Sequence, residues 1–100
     1  MKPSDRGFVY IMTNVHHTVF YTGVTSDLAS RVFDHRERVD TRSFTFRYNV
    51  VVLAYYEEYP GIEQAIAREK EIKKYSRKKK IALIEEMNPE WKDLYNEISA

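Results

Sequence analysis

Glu69 stands where an apolar side chain belongs. On a helix opening at Gly61 each residue advances by about 100°, so with Ile62 as origin Ile66 falls near +40°, Ala65 near −60°, Ile72 near −80° and Glu69 near −20°. A carboxylate inside that apolar arc is costly unless it meets a cation, a metal ion or a rim of water. It either pairs with a basic side chain at the edge of the core or holds a ligand. The helix Ser26–Arg36 repeats the pattern, because Arg31 and His35, four residues apart, share the face of Leu28 and Val32 that should turn inward. His35 is then a hydrogen-bonded core histidine or a working imidazole. Arg31 either packs its stem on the core with the guanidinium in water, or binds an anion. Tyr10 and Tyr21 each lie mid-strand and face the same way if the register allows, packed across the ladder or lining one surface. Gly23, two residues beyond Tyr21, weakens a strand unless something approaches its backbone closely. Polar positions aimed inward from separate elements are most simply explained by a cleft.

The elements that must position these residues are legible in outline. Phe8–Thr13 and Val19–Val24 are rich in β-branched and aromatic residues and read as a hairpin, with Asn14-Val15-His16-His17 between them. His16 and His17 in that loop have no third ligand at a recognisable spacing and read as loop surface. Thr25-Ser26-Asp27 opens the first helix. Residues 39–48 hold no clear period and read as loop. Asn49–Tyr56 is the strongest strand, apolar on both faces, which predicts the sheet centre. A helix follows Pro60-Gly61 to about Tyr75, and another runs from about Arg77 to Met87, stopped by Asn88-Pro89. Trp91, Leu94 and Tyr95 are anchors that would fold the tail back onto the body. The order β-β-α-β-α-α predicts an α+β fold with a small three-stranded antiparallel sheet flanked by helices.

Composition bounds the rest. One hundred residues, 43% of them hydrophobic, make a single domain over residues 1–100 with its core between about residues 7 and 95. The absence of cysteine removes disulfides, thiolate nucleophiles and thiolate zinc sites together. No apolar run is long enough for a membrane span and the N-terminus lacks a signal-peptide stretch, so a soluble cytoplasmic protein is expected. The net charge of +1 hides a segregation. From Arg68 to Lys80 there are eight bases and two acids, whereas from Ile81 to Ala100 there are one base and five acids.

Order and spacing together resemble the GIY-YIG nuclease superfamily, in particular its small stand-alone bacterial members. Phe8-Val9-Tyr10 stands for the first tripeptide and Tyr21-Thr22-Gly23 for the second, so the first motif lacks its glycine. Phe20 to Thr25, followed by Leu28 and Arg31, is similar to the segment that runs into the family's arginine helix. His35 matches the next position of the family's site. Tyr55-Tyr56-Glu57 and Ala65 to Lys70 resemble its third strand and glutamate helix, and Lys79 to Ile84 with Asn88 to Trp91 resembles the ending of the stand-alone subgroup.

The resemblance implies metal-dependent hydrolysis of a DNA phosphodiester bond, in the setting of DNA repair or recombination. By position Glu69 would be the sole protein ligand of Mg²⁺ or Mn²⁺, a mode that suits a hard cation keeping its waters. Arg31 would bind the non-bridging oxygens. Tyr10, assisted by Tyr21 or His35, would orient or deprotonate the attacking water, with Arg31 or the metal favouring its phenolate. Asn88 matches a position near the metal end and is otherwise a helix stop. Lys70, Lys73, Lys74 and Arg77, at i, i+3, i+4 and i+7, would form one face beside Glu69 that contacts phosphates, or a solvated face with no ligand. The expected partners are DNA, branched or single-stranded forms included, and a protein that supplies specificity, with the chain itself a monomer or weak dimer. The competing readings are a nucleic-acid-binding module with little turnover, and a purely structural protein in which Glu69 is an accident.

Overall fold

The computed structural model describes residues 6–37 and 42–99. Strands β1 (Gly7–Thr13) and β2 (Phe20–Thr25) form the hairpin, and helix α1 (Leu28–Arg36) follows, capped by the Asp27 side chain accepting from the Ser30 N–H. A one-turn helix α2 (Phe44–Arg47) precedes strand β3 (Val52–Tyr59). Helices α3 (Ile62–Lys73), α4 (Arg77–Met87) and the one-turn α5 (Tyr95–Ile98) complete the chain. The fold is α+β: a three-stranded antiparallel sheet of order β2-β1-β3, flanked by helices.

Two expectations are corrected. Residues 39–48 are not all loop, because Ser43 accepts from the Phe46 N–H at 3.2 Å and starts α2; residues 38–41 lie outside the described residues. The central strand is β1 and not β3. β3 is apolar on both faces although it forms an edge, because the C-terminal segment covers that edge. The Leu94 N–H donates to the Leu53 carbonyl at 2.8 Å, the Leu53 N–H donates to Asp93 Oδ1 at 3.2 Å, and Asn88 Nδ2 donates to the Ala54 carbonyl at 3.0 Å. Asp93 also pairs with Arg36, which ties the same segment to α1. These bonds occupy the outward backbone groups of Leu53 and Ala54, at the start of that edge.

The sheet separates two apolar cores. Val9 and Ile11 of β1 face Ala65 and Ile72 of α3 and Ile84 of α4. Tyr10 and Met12 face Leu28 and Val32 of α1, with Val50, Leu53 and Leu94 completing that side. Alternation along β1 thus decides which functional residue faces which core. Gly7 lets α3 sit down on β1, since a Cβ there would meet Ala65 Cβ and Ile62 Cα at 2.7 Å. The tail folds back as expected, with Leu94 buried and Trp91 stacked on His17 of the hairpin loop at 4.4 Å between ring centroids.

Candidate active site

The hairpin register decides the site. Tyr10 is paired with Gly23 and Met12 with Tyr21, so both tyrosines project from one sheet face, with their ring centroids 6.2 Å apart. Gly23 carries no side chain because the Tyr10 ring occupies that space: a Cβ would lie 2.5 Å from the phenol oxygen and 2.6 Å from Cζ. α1 lies against this face and brings His35, whose Nε2 is 3.1 Å from the Tyr10 hydroxyl, and Arg31, whose charge acts on the same phenol from an exposed position. The Tyr21 ring is 5.4 Å from the His35 ring. Tyr10, Tyr21, Gly23, Arg31 and His35 therefore meet at one place.

The electrostatics there differ from the phenolate expectation. Burial pushes the Tyr10 phenol above its ordinary value, and Tyr21 adds to the shift. Arg31 opposes through its hydrogen bond and its charge, and does not offset the burial. Burial also lowers His35 to about 4, helped by the nearby Arg31 charge and opposed by Asp34. For Arg31, burial works downward, but its hydrogen bond with Tyr10 and the charges of Tyr10, Tyr21 and Asp34 leave it raised. At neutral pH the resting site thus holds a protonated Tyr10 and an uncharged His35. His35 Nδ1 is 2.9 Å from Thr45 Oγ1, so in the tautomer that accepts the phenol proton at Nε2 the imidazole proton sits on Nδ1 and is donated to Thr45. Thr45 Oγ1 is 3.0 Å from Ser43 Oγ. Sequence reasoning missed Thr45 because it lies in the aperiodic stretch; the Ser43 cap three residues ahead of Phe46 was the available signal.

Glu69 lies on a different element from this cluster. α3 packs on the Val9/Ile11 face, opposite the tyrosines. On α3 the buried line runs through Ala65 and Ile72, whereas Ile66 is 37% exposed, so the apolar stripe is turned away from the expected centre. Arg68 marks one flank, because its guanidinium binds Glu57 of β3 at 2.9 Å. Glu69 lies about 100° further round the helix. Its side chain is only 14% exposed and pairs with Lys73 at 3.2 Å. Among the described residues no group of three or more His, Cys, Asp and Glu side chains could share a metal ion. Glu69 alone would offer a cation one carboxylate, leaving water and ligand oxygens to supply the rest.

The basic face is smaller than its spacing predicts. Lys70 and Lys73 lie on α3 and Lys74 caps it, all exposed. The helix ends there, so Arg77 starts α4 and turns away. It donates to the His17 carbonyl at 2.8 Å and covers the Phe20 ring at 4.5 Å, fastening the hairpin loop. Asn88 likewise spends its amide internally: Nδ2 donates to the carbonyls of Ala54 (3.0 Å) and Lys92 (2.8 Å), and Oδ1 accepts from the Lys92 N–H at 2.9 Å. Of its two candidate roles, this geometry displays the helix stop and staple.

Comparison with known proteins agrees with this arrangement. The family model described as the GIY-YIG catalytic domain matches residues 6–82. A UPF0213 protein of Staphylococcus aureus is 39% identical over 82 residues, covering 82% of this chain and 98% of the relative. One from Staphylococcus epidermidis is 35% identical over the same shares. The solution NMR structure of a UPF0213 protein from Bacillus halodurans superposes with a TM-score of 0.55 at 26% identity, over 88% of this chain and 92% of that one. With more than three-quarters of its length matched and two strand tyrosines, an arginine and a histidine gathered on one sheet face, the chain belongs to the GIY-YIG family.

Proposed function

We propose that this chain is a metal-dependent endonuclease that hydrolyses DNA phosphodiester bonds, in DNA repair or recombination. The observation that carries the reading is the contact of the Tyr10 hydroxyl with an uncharged, buried His35 beside Arg31 and Tyr21. Arg31 binds the non-bridging oxygens of the phosphate through its planar fork. The Tyr10 and Tyr21 hydroxyls orient the attacking water. As the water gives up its proton to the Tyr10 oxygen, Tyr10 passes its own proton to His35 Nε2, and the resulting imidazolium keeps its Nδ1–H on Thr45. A proton transfer of this kind contributes about 10²–10⁴-fold to rate. Glu69 would hold Mg²⁺ or Mn²⁺, which supplies positive charge against the phosphate when bound. Lys70, Lys73 and Lys74 extend the contact to neighbouring phosphates.

The test is cleavage of single-stranded, duplex and branched DNA with Mg²⁺ or Mn²⁺, wild type against Glu69→Ala. Metal-dependent nicking is expected to fall at least about 100-fold in the variant. Equal nicking by both would remove Glu69 from the site. A second reading, a DNA-binding module with little turnover of its own, is favoured by the Glu69–Lys73 ion pair and by the placement of α3 on the other sheet face. Wild type that binds DNA without cutting it would move the conclusion there.

A further inference from the structure

The one-turn helix α2 has two sides with different business. Its inward side is spent on Thr45, which is buried and bonded to His35. Its outward side carries Phe44 and Tyr48, four residues apart on one face, with ring centroids 4.8 Å from each other. These rings are 45% and 43% exposed, a large apolar area for one helical turn to leave in water. The Phe44 ring is 6.2 Å from that of Tyr21, which is 6.2 Å from that of Tyr10. Aromatic rings thus run without a break from the buried phenol to the surface. Cations border the run, with Arg31 at its inner end and the Arg47 guanidinium 5.9 Å from the Tyr48 ring at its outer end.

We infer that Phe44 and Tyr48 form a stacking platform for an unpaired nucleobase of the strand whose phosphate is held at Arg31. Flat exposed rings bordered by guanidinium groups match the two halves of a nucleotide, its π-face and its phosphate, and a base enclosed in a duplex has no free face to offer. The inference rests on the nuclease reading above and specifies its substrate as a strand unpaired beside the scissile phosphate.

The experiment measures binding of a fluorescent single-stranded oligonucleotide and of the matching duplex, in EDTA to prevent cleavage. Phe44→Leu and Tyr48→Leu are each expected to weaken single-strand binding by about 5- to 100-fold while duplex binding changes by less than about twofold. Phe44→Tyr and Tyr48→Phe are expected to keep wild-type affinity, which separates stacking from a folding defect. In Phe44→Trp the added indole fluorescence is expected to quench on single-strand binding. Unchanged affinity in the leucine variants, or equal losses on both DNA forms, would overturn the platform while leaving the nuclease reading intact, and unchanged affinity would assign the rings to a protein contact instead. Wild type that binds neither form would sink both.

Discussion

Tyr10 keeps its proton because burial outweighs Arg31, and His35 stays uncharged because burial and the same Arg31 disfavour an imidazolium. The second effect has a sign that can be measured. His35 titrates at about 4 when folded against 6.5 for the free side chain, so between those values the unfolded chain binds the extra proton. Stability tied to His35 is therefore full above about pH 6.5 and lost as pH falls toward 4, up to about 3 kcal/mol in all. Urea unfolding between pH 6.5 and 5 is expected to show a steeper decline for wild type than for His35→Gln; parallel slopes would mean that the imidazole is not shifted. The shared face of Tyr10 and Tyr21 was legible because a hairpin with period-two alternation leaves few registers. Arg31 with His35 was legible as an i, i+4 pair. Thr45 was not, since its contact with His35 crosses ten positions and depends on a helix of four residues.

At the scale of elements, the three strands and the longer helices were readable, the one-turn α2 was not, and neither was the place of β3 in the sheet. β3 reads as a central strand because apolar residues fill both its faces, and a sequence pattern registers cover without saying whether a strand or a returning tail supplies the hydrogen bonds. Here the tail supplies them, through Asn88, Asp93 and Leu94. Asn88→Ala removes three hydrogen bonds and leaves the buried Ala54 carbonyl unpaired, so it is expected to cost about 2–4 kcal/mol. Thermal unfolding measures that loss. Cleavage by Asn88→Ala well below its melting temperature is expected to match wild type, whereas a residue at the metal end would lose turnover. The α3 stripe is misplaced on the helical wheel for a related reason: the wheel from Ile62 gives every apolar residue equal weight, whereas the packed line runs through Ala65 and Ile72 and leaves Ile66 partly in water.

Across the whole molecule, charge is sorted rather than summed. The eight bases from Arg68 to Lys80 include Arg68 bound to Glu57, Arg77 bound to the hairpin loop and Lys79 above the Tyr75 ring at 4.0 Å. Of the other five, Lys70, Lys73 and Lys74 lie exposed beside Glu69, with Lys73 paired to it. Replacing Lys70 and Lys74 by Gln is expected to lower the salt slope of DNA binding by about 0.7–0.9 for each phosphate that the protein no longer neutralises, with little change in melting temperature. An unchanged slope would place the DNA elsewhere. The segment that closes the β3 edge comes late in the chain, so a ribosome finishes the sheet's three strands well before it makes Asn88, Asp93 and Leu94. Until those residues emerge, the nascent sheet displays an apolar edge with open backbone groups to any neighbouring chain. Pairing with a neighbouring chain at that edge is therefore open in the interval between the emergence of β3 and that of the tail.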